Sequence, residues 1–77
     1  VNEHILIPFG LHIKQLRLKK NISQEELAAL CSLDRTYISG IERGIRNVSL
    51  VNIIKLANGL QVEAQTLLQF TVGEFNE

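Results

Sequence analysis

Ser23-Gln24-Glu25-Glu26-Leu27-Ala28-Ala29-Leu30-Cys31-Ser32-Leu33-Asp34-Arg35-Thr36-Tyr37-Ile38-Ser39-Gly40-Ile41-Glu42-Arg43-Gly44 decides the fold. It reads as a short helix, a tight turn and a second short helix. Ser23 caps the first, and Glu26, three residues on, can reach back to the cap's own N–H, which makes a capping box. Ile22 and Leu27 bracket the cap as a hydrophobic staple. Leu27, Leu30 and Cys31 form the inward face, and the helix ends near Ser32. Asp34 caps the next helix, because its carboxylate can accept from the exposed N–H groups of the first turn. Ile38 and Ile41 point to the core with Leu33, while Arg35, Thr36, Ser39 and Arg43 fall on the opposite side. Gly44 stops the helix. Arg, Thr and Tyr in a first turn suit a helix whose N-terminal residues enter a DNA major groove.

Working outward, a preceding helix is expected from about Pro8 to Lys20. Proline is tolerated in a first turn, Phe9, Ile13 and Leu16 recur at helical spacing, and Lys19 and Lys20 complement the helix dipole at its end. Ile45 to Val48 reads as a loop. Ser49 caps a fourth helix, about Leu50 to Asn58, with Ile53, Leu56 and Ala57 inward and Gly59 as its stop. A short fifth helix follows from Ala64 to about Gln69. The expectation is one all-α domain of five short helices spanning 1–77, with residues 1–7 as an N-terminal extension and 71–77 as a tail.

The chain has 77 residues, 45% of them hydrophobic, with five glycines and one proline. That supports one small helical domain with a real core. The single cysteine, Cys31, rules out an internal disulfide and suits a reducing cytoplasm. His4, His12 and Cys31 lack the spacing of a zinc site; neither histidine has a partner pattern, and both are expected on the surface. No apolar stretch is long enough to cross a bilayer as a helix, and a signal peptide is not expected at Val1-Asn2-Glu3. No nucleophile–base pair, metal set or phosphate loop is present, so neither an enzyme nor a cofactor is expected. Net charge is zero but dipolar: residues 14–46 carry seven basic and four acidic side chains, the remainder one basic and four acidic. Phosphate binding needs a basic face rather than a basic total.

Ile13-x-x-Leu16-Arg17, Ser23-Gln24-Glu25-Glu26-Leu27-Ala28, Ile38-x-x-Ile41-Glu42-Arg43-Gly44 and Leu56-Ala57-x-x-Leu60 resemble, in order and spacing, the Cro/repressor-type (XRE-type) helix-turn-helix family. Leu33 to Gly44 followed by Arg46-Asn47 is similar to the controller proteins of restriction–modification systems. The resemblance covers residues 9–70. It implies a lambda-repressor-like domain that binds double-stranded operator DNA as a homodimer, activates and represses transcription, and works on the bacterial nucleoid. RNA polymerase is a further partner it allows, and no small-molecule ligand is expected.

By position, the resemblance makes Gln24 a phosphate contact, sets Arg35, Thr36 and Ser39 on the base-facing side, places Arg46 and Asn47 in the loop along the DNA backbone, and pairs Arg17 with Glu42. Gly40 departs from the bulkier polar residue many members carry, and would admit a close approach of the helix to the groove. From chemistry alone, Arg35 suits guanine O6 and N7. Thr36 and Ser39 offer donors to base or phosphate, or are exposed filler. Tyr37 offers its hydroxyl to a phosphate or packs its ring inward. Arg43 meets phosphate or pairs with an acid. Cys31 reads as a core residue, and Lys14, Lys19 and Lys20 as a solvated face. Leu60, Val62, Leu67, Leu68 and Phe70 are read in part as a dimer surface, the alternative being that they complete the monomer core. A second functional reading is an antitoxin-type or phage-type repressor that also binds a protein partner.

Overall fold

A computed structural model describes residues 3–71, and among them there are helices and turns but no strand. A 3-10 turn at Glu3–Ile5 runs into α1 (Leu6–Lys19). Then come α2 (Gln24–Cys31), α3 (Arg35–Glu42), α4 (Leu50–Leu60) and a second 3-10 turn at Ala64–Leu68. The expected fifth helix is thus a 3-10 turn, and four α-helices carry the fold. The tail read at 71–77 lies, except for Thr71, outside the described residues. No described helix is long and apolar enough to cross a membrane.

The helix starts follow the capping logic. Ser23 Oγ accepts from Glu26 N–H at 3.0 Å, and the Ser23 N–H donates to Glu26 Oε1 at 2.7 Å. Asp34 and Ser49 cap α3 and α4 one-sidedly, accepting from Thr36 N–H and Asn52 N–H. The first helix begins two residues before Pro8, which still lies within the first turn.

The four helix ends share one device. A left-handed residue (Asn21, Ser32, Gly44 or Gln61) turns the chain, and the next N–H returns to a carbonyl five residues back. These are Schellman closures. Three of them fold an apolar residue (Ile22, Leu33 or Val62) against the core. Only one uses glycine. Gly59, expected as the stop of α4, lies inside that helix, and Gln61 makes the turn. The physical reason is packing: a Cβ on Gly59 would collide with Cys31 Sγ, so the glycine serves the approach of α4 to α2.

The core joins Phe9 and Ile13 of α1, Leu27, Ala28 and Cys31 of α2, Ile38 and Ile41 of α3, Leu56, Ala57 and Leu60 of α4, and Leu67. Leu30 departs from expectation. It is exposed, and Ala28 takes the inward position beside Leu27. His12 is not a free surface residue either: its Nε2 donates to the Thr66 carbonyl at 2.7 Å, tying α1 to the last turn.

The expected dimer surface is largely consumed by the monomer. Leu60 and Leu67 are 0% exposed. Val62 and Phe70 pack against the core, Phe70 edge-on to Phe9 at 5.7 Å between ring centroids. Leu68 alone of the five is exposed. The last turn folds its apolar side onto α1 and α4, which a short 3-10 segment needs for stability.

Candidate nucleic-acid interface

The site is built around α3. At about 100° per residue, Ile38 and Ile41 face inward, and Thr36, Ser39, Gly40 and Arg43 line the outer side. Arg35 lies on one flank of that side and Tyr37 on the other. Arg35, Thr36 and Arg43 are exposed and Ser39 is half-buried. Arg43 forms no ion pair with a described residue. Arg46 and Asn47, both exposed, follow in the loop to α4.

Thr36 is partly committed. Its hydroxyl and its N–H both donate to Asp34 Oδ2. The oxygen therefore keeps only acceptor capacity for a DNA amino group. These bonds, the side-chain one first, hold the Asp34 carboxyl below its ordinary value of 3.8. A pKa lower in the folded than in the unfolded state means the cap stabilises fully above the ordinary carboxylate range. That contribution is lost as pH falls through the folded pKa. The gap in melting temperature between wild type and Asp34→Ala is expected to be widest near neutrality and to narrow as pH falls below about 4. Asp34→Asn, which caps without titrating, should keep its own gap over Asp34→Ala.

A buried network supports α3 from behind. Arg17 Nε donates to Glu42 Oε2 at 2.7 Å and Arg17 Nη2 to Glu42 Oε1 at 3.0 Å, a two-pronged pair with residue exposures of 7% and 6%. Arg17 Nη1 donates to the Ile22 carbonyl at 2.9 Å. The carboxylate bond raises the Arg17 pKa further. Gln24 joins this network, its Nε2 donating to Glu42 Oε1 at 2.9 Å. One of its two amide N–H groups is thus held by α3, leaving the other, with the N-terminal N–H groups of α2, as donors for an anion. No capping or periodicity signal in the sequence announces that tie.

Tyr37 is half-buried with its ring packed against the core, as the second of its two readings expects. Its hydroxyl accepts from Asn52 Nδ2 of α4 at 3.1 Å, and the Arg46 guanidinium carbon lies 5.9 Å from its ring centroid. Asn52 belongs to the site and was missed, because it stands on another helix in a run with no motif. Cys31 is buried in the core, and burial pushes its thiol pKa up.

The family model for helix-turn-helix proteins matches residues 13–67. The control protein C.BamHI of Bacillus amyloliquefaciens is 53% identical over 72 residues, covering 92% of this chain and 89% of that one. The solved restriction–modification controller protein C.AhdI from Aeromonas hydrophila superposes with a TM-score of 0.79 at 55% identity, over 80% of this chain and 94% of that one. The controller protein C.Esp1396I, solved as a tetramer with its natural 35-base-pair operator, gives a TM-score of 0.78 at 40% identity, over 84% and 86% of the two chains.

Proposed function

The chain belongs to the Cro/repressor-type helix-turn-helix family, among the restriction–modification controller proteins, and from that membership we propose that it regulates transcription by binding a two-fold operator as a homodimer. The observation that carries this reading is the outer side of α3: Thr36, Ser39 and Arg43 exposed or half-buried, with Arg35 and Arg46 on its flanks. Each α3 enters a major groove, with half-site centres about one helical turn apart, roughly 34 Å. Arg35, Thr36 and Ser39 meet bases. Gln24, Tyr37, Arg43, Arg46 and Asn47 hold the DNA backbone. The protein has no catalytic role in this reading. It works on the bacterial nucleoid, and activation proceeds through contact with RNA polymerase.

A selection of bound duplexes from a random pool, followed by footprinting, tests the proposal. Enrichment of a two-fold related sequence is expected; a pool that stays random after repeated rounds would sink it.

For the dimer we propose a face shifted from the one read in sequence. Leu50, Val51 and Leu68 are 77%, 65% and 62% exposed, and Ile54 is 44% exposed. The first turns of α4 thus present adjoining apolar side chains. They lie beside a shallow groove lined by Val48, Ile53, Leu68 and Phe70. Patches of this kind mark association surfaces. The double substitution Leu50→Glu with Ile54→Glu is expected to leave the helical circular dichroism spectrum intact and to convert the dimer to monomer in sedimentation at micromolar concentration. A double variant that still sediments as a dimer would put the interface elsewhere.

A further inference from the structure

The turn after α3 does more than end the helix. Gly44, at φ 78°, lets its own N–H donate to the Ile41 carbonyl and the Ile45 N–H to the Gly40 carbonyl, both at 3.0 Å. The chain doubles back along the outside of α3, and Arg46 comes to lie across Gly40. A Cβ built on Gly40 would stand 2.7 Å from Arg46 Cγ and 3.1 Å from Arg46 Nε. Gly40 is buried although it points away from the core, and the nearest atoms around it are those of the arginine stem. Beyond the stem, the guanidinium reaches the Tyr37 ring at 5.9 Å, within cation–π range. The ring is stayed in turn: Asn52 Nδ2 donates to its hydroxyl, and the Asn52 N–H is itself bound to the Ser49 cap.

We propose that Gly40 and Asn52 are positioning residues for DNA recognition, holding the Arg46 guanidinium against α3 before DNA arrives. Gly40 is the floor on which the arginine stem lies, and Asn52 orients the ring on which its head rests. A loop arginine otherwise gives up side-chain entropy when it binds, and a pre-seated one gives up less. The proposal rests on the DNA-binding reading above. It also replaces the simpler account of Gly40, in which glycine only lets the helix backbone approach the groove.

A mutant cycle separates the two accounts. The probe is the duplex that the wild-type protein selects from a random pool. Gly40→Ala is expected to weaken binding about five- to tenfold in the wild-type background, the lower range for one lost contact. It should have no effect in an Arg46→Ala background. Equal losses in both backgrounds, or no loss in either, overturn the proposal.

Unfolding does not confuse the reading. Alanine is the better helix former, which offsets the displacement of the Arg46 stem at Cγ, and a thermal melt of Gly40→Ala in both backgrounds checks that each variant is folded at the binding temperature. The seat can also be read without DNA. In the free protein, the Arg46 side-chain Nε–H resonance should be displaced by the Tyr37 ring, and should move to the free-arginine position in Gly40→Ala and part of the way in Asn52→Ala. A wild-type resonance already at the free-arginine position overturns the proposal. A displaced resonance in a protein that selects no duplex would instead fault the DNA-binding reading and leave the seat standing.

Discussion

Glu42→Ala is expected to remove about 3–5 kcal/mol of folding stability, the cost of stranding one member of a buried ion pair. Glu42 sits at the C-terminal end of α3, where the helix dipole disfavours a carboxylate. It is kept there by three donors from two other helices: Nε and Nη2 of Arg17, and Nε2 of Gln24. Alanine leaves the guanidinium buried with the Ile22 carbonyl as its one remaining hydrogen-bond partner, and frees the start of α2. Natural domains are stable by only about 5–15 kcal/mol, and small ones tend to the lower end. The variant should therefore be largely unfolded at 37 °C in urea concentrations the wild type withstands. Equilibrium denaturation measures this directly. A loss below about 1 kcal/mol would mean that water screens the pair as it screens a surface one. Glu42→Gln keeps the shape but not the charge, and is expected to fall between the two proteins.

Arg35→Ala is expected to weaken binding to the selected operator by about 1–3 kcal/mol, and to relax base preference at one position of each half-site. The reason is chemical. Arginine presents two parallel donors that match guanine O6 and N7, and alanine leaves those acceptors unmet. Arg35 is exposed in the first turn of α3 and no described residue holds its side chain, so folding should be unaffected. Repeating the pool selection with the variant gives the test. Full affinity with unchanged preference would remove Arg35 from the groove. An even loss over all sequences, with a flatter salt dependence, would move it to phosphate.

Legibility differed by region. Ser23 and Glu26 were readable because a capping box is a local contract between residues three apart. Asp34 and Ser49 were readable for the same reason. Gly59 was misleading because glycine serves two purposes, a left-handed turn or a close approach of helices. Which purpose applies at Gly59 depends on Cys31, 28 positions away in the chain. Leu30 misled in a similar way: it is apolar at a helical spacing, yet the partner helix lies on the Leu27–Ala28 side. Leu60 and Leu67 read in part as partner-facing because their local pattern exceeds what a short helix needs. The core they fill is assembled from all four helices.

By itself, the sequence determined the order of the elements, the caps that start α2, α3 and α4, and the outward set on α3. These follow from hydrogen bonds and periodicities that act within one or two turns. Its motifs also carried the family resemblance. Tertiary structure alone decided the tie of Gln24 to Glu42, the Asn52–Tyr37–Arg46 arrangement over Gly40, and which apolar residues stay exposed on α4. Each of these depends on how two helices cross, and crossing is set by side-chain packing summed over the core rather than by any local pattern.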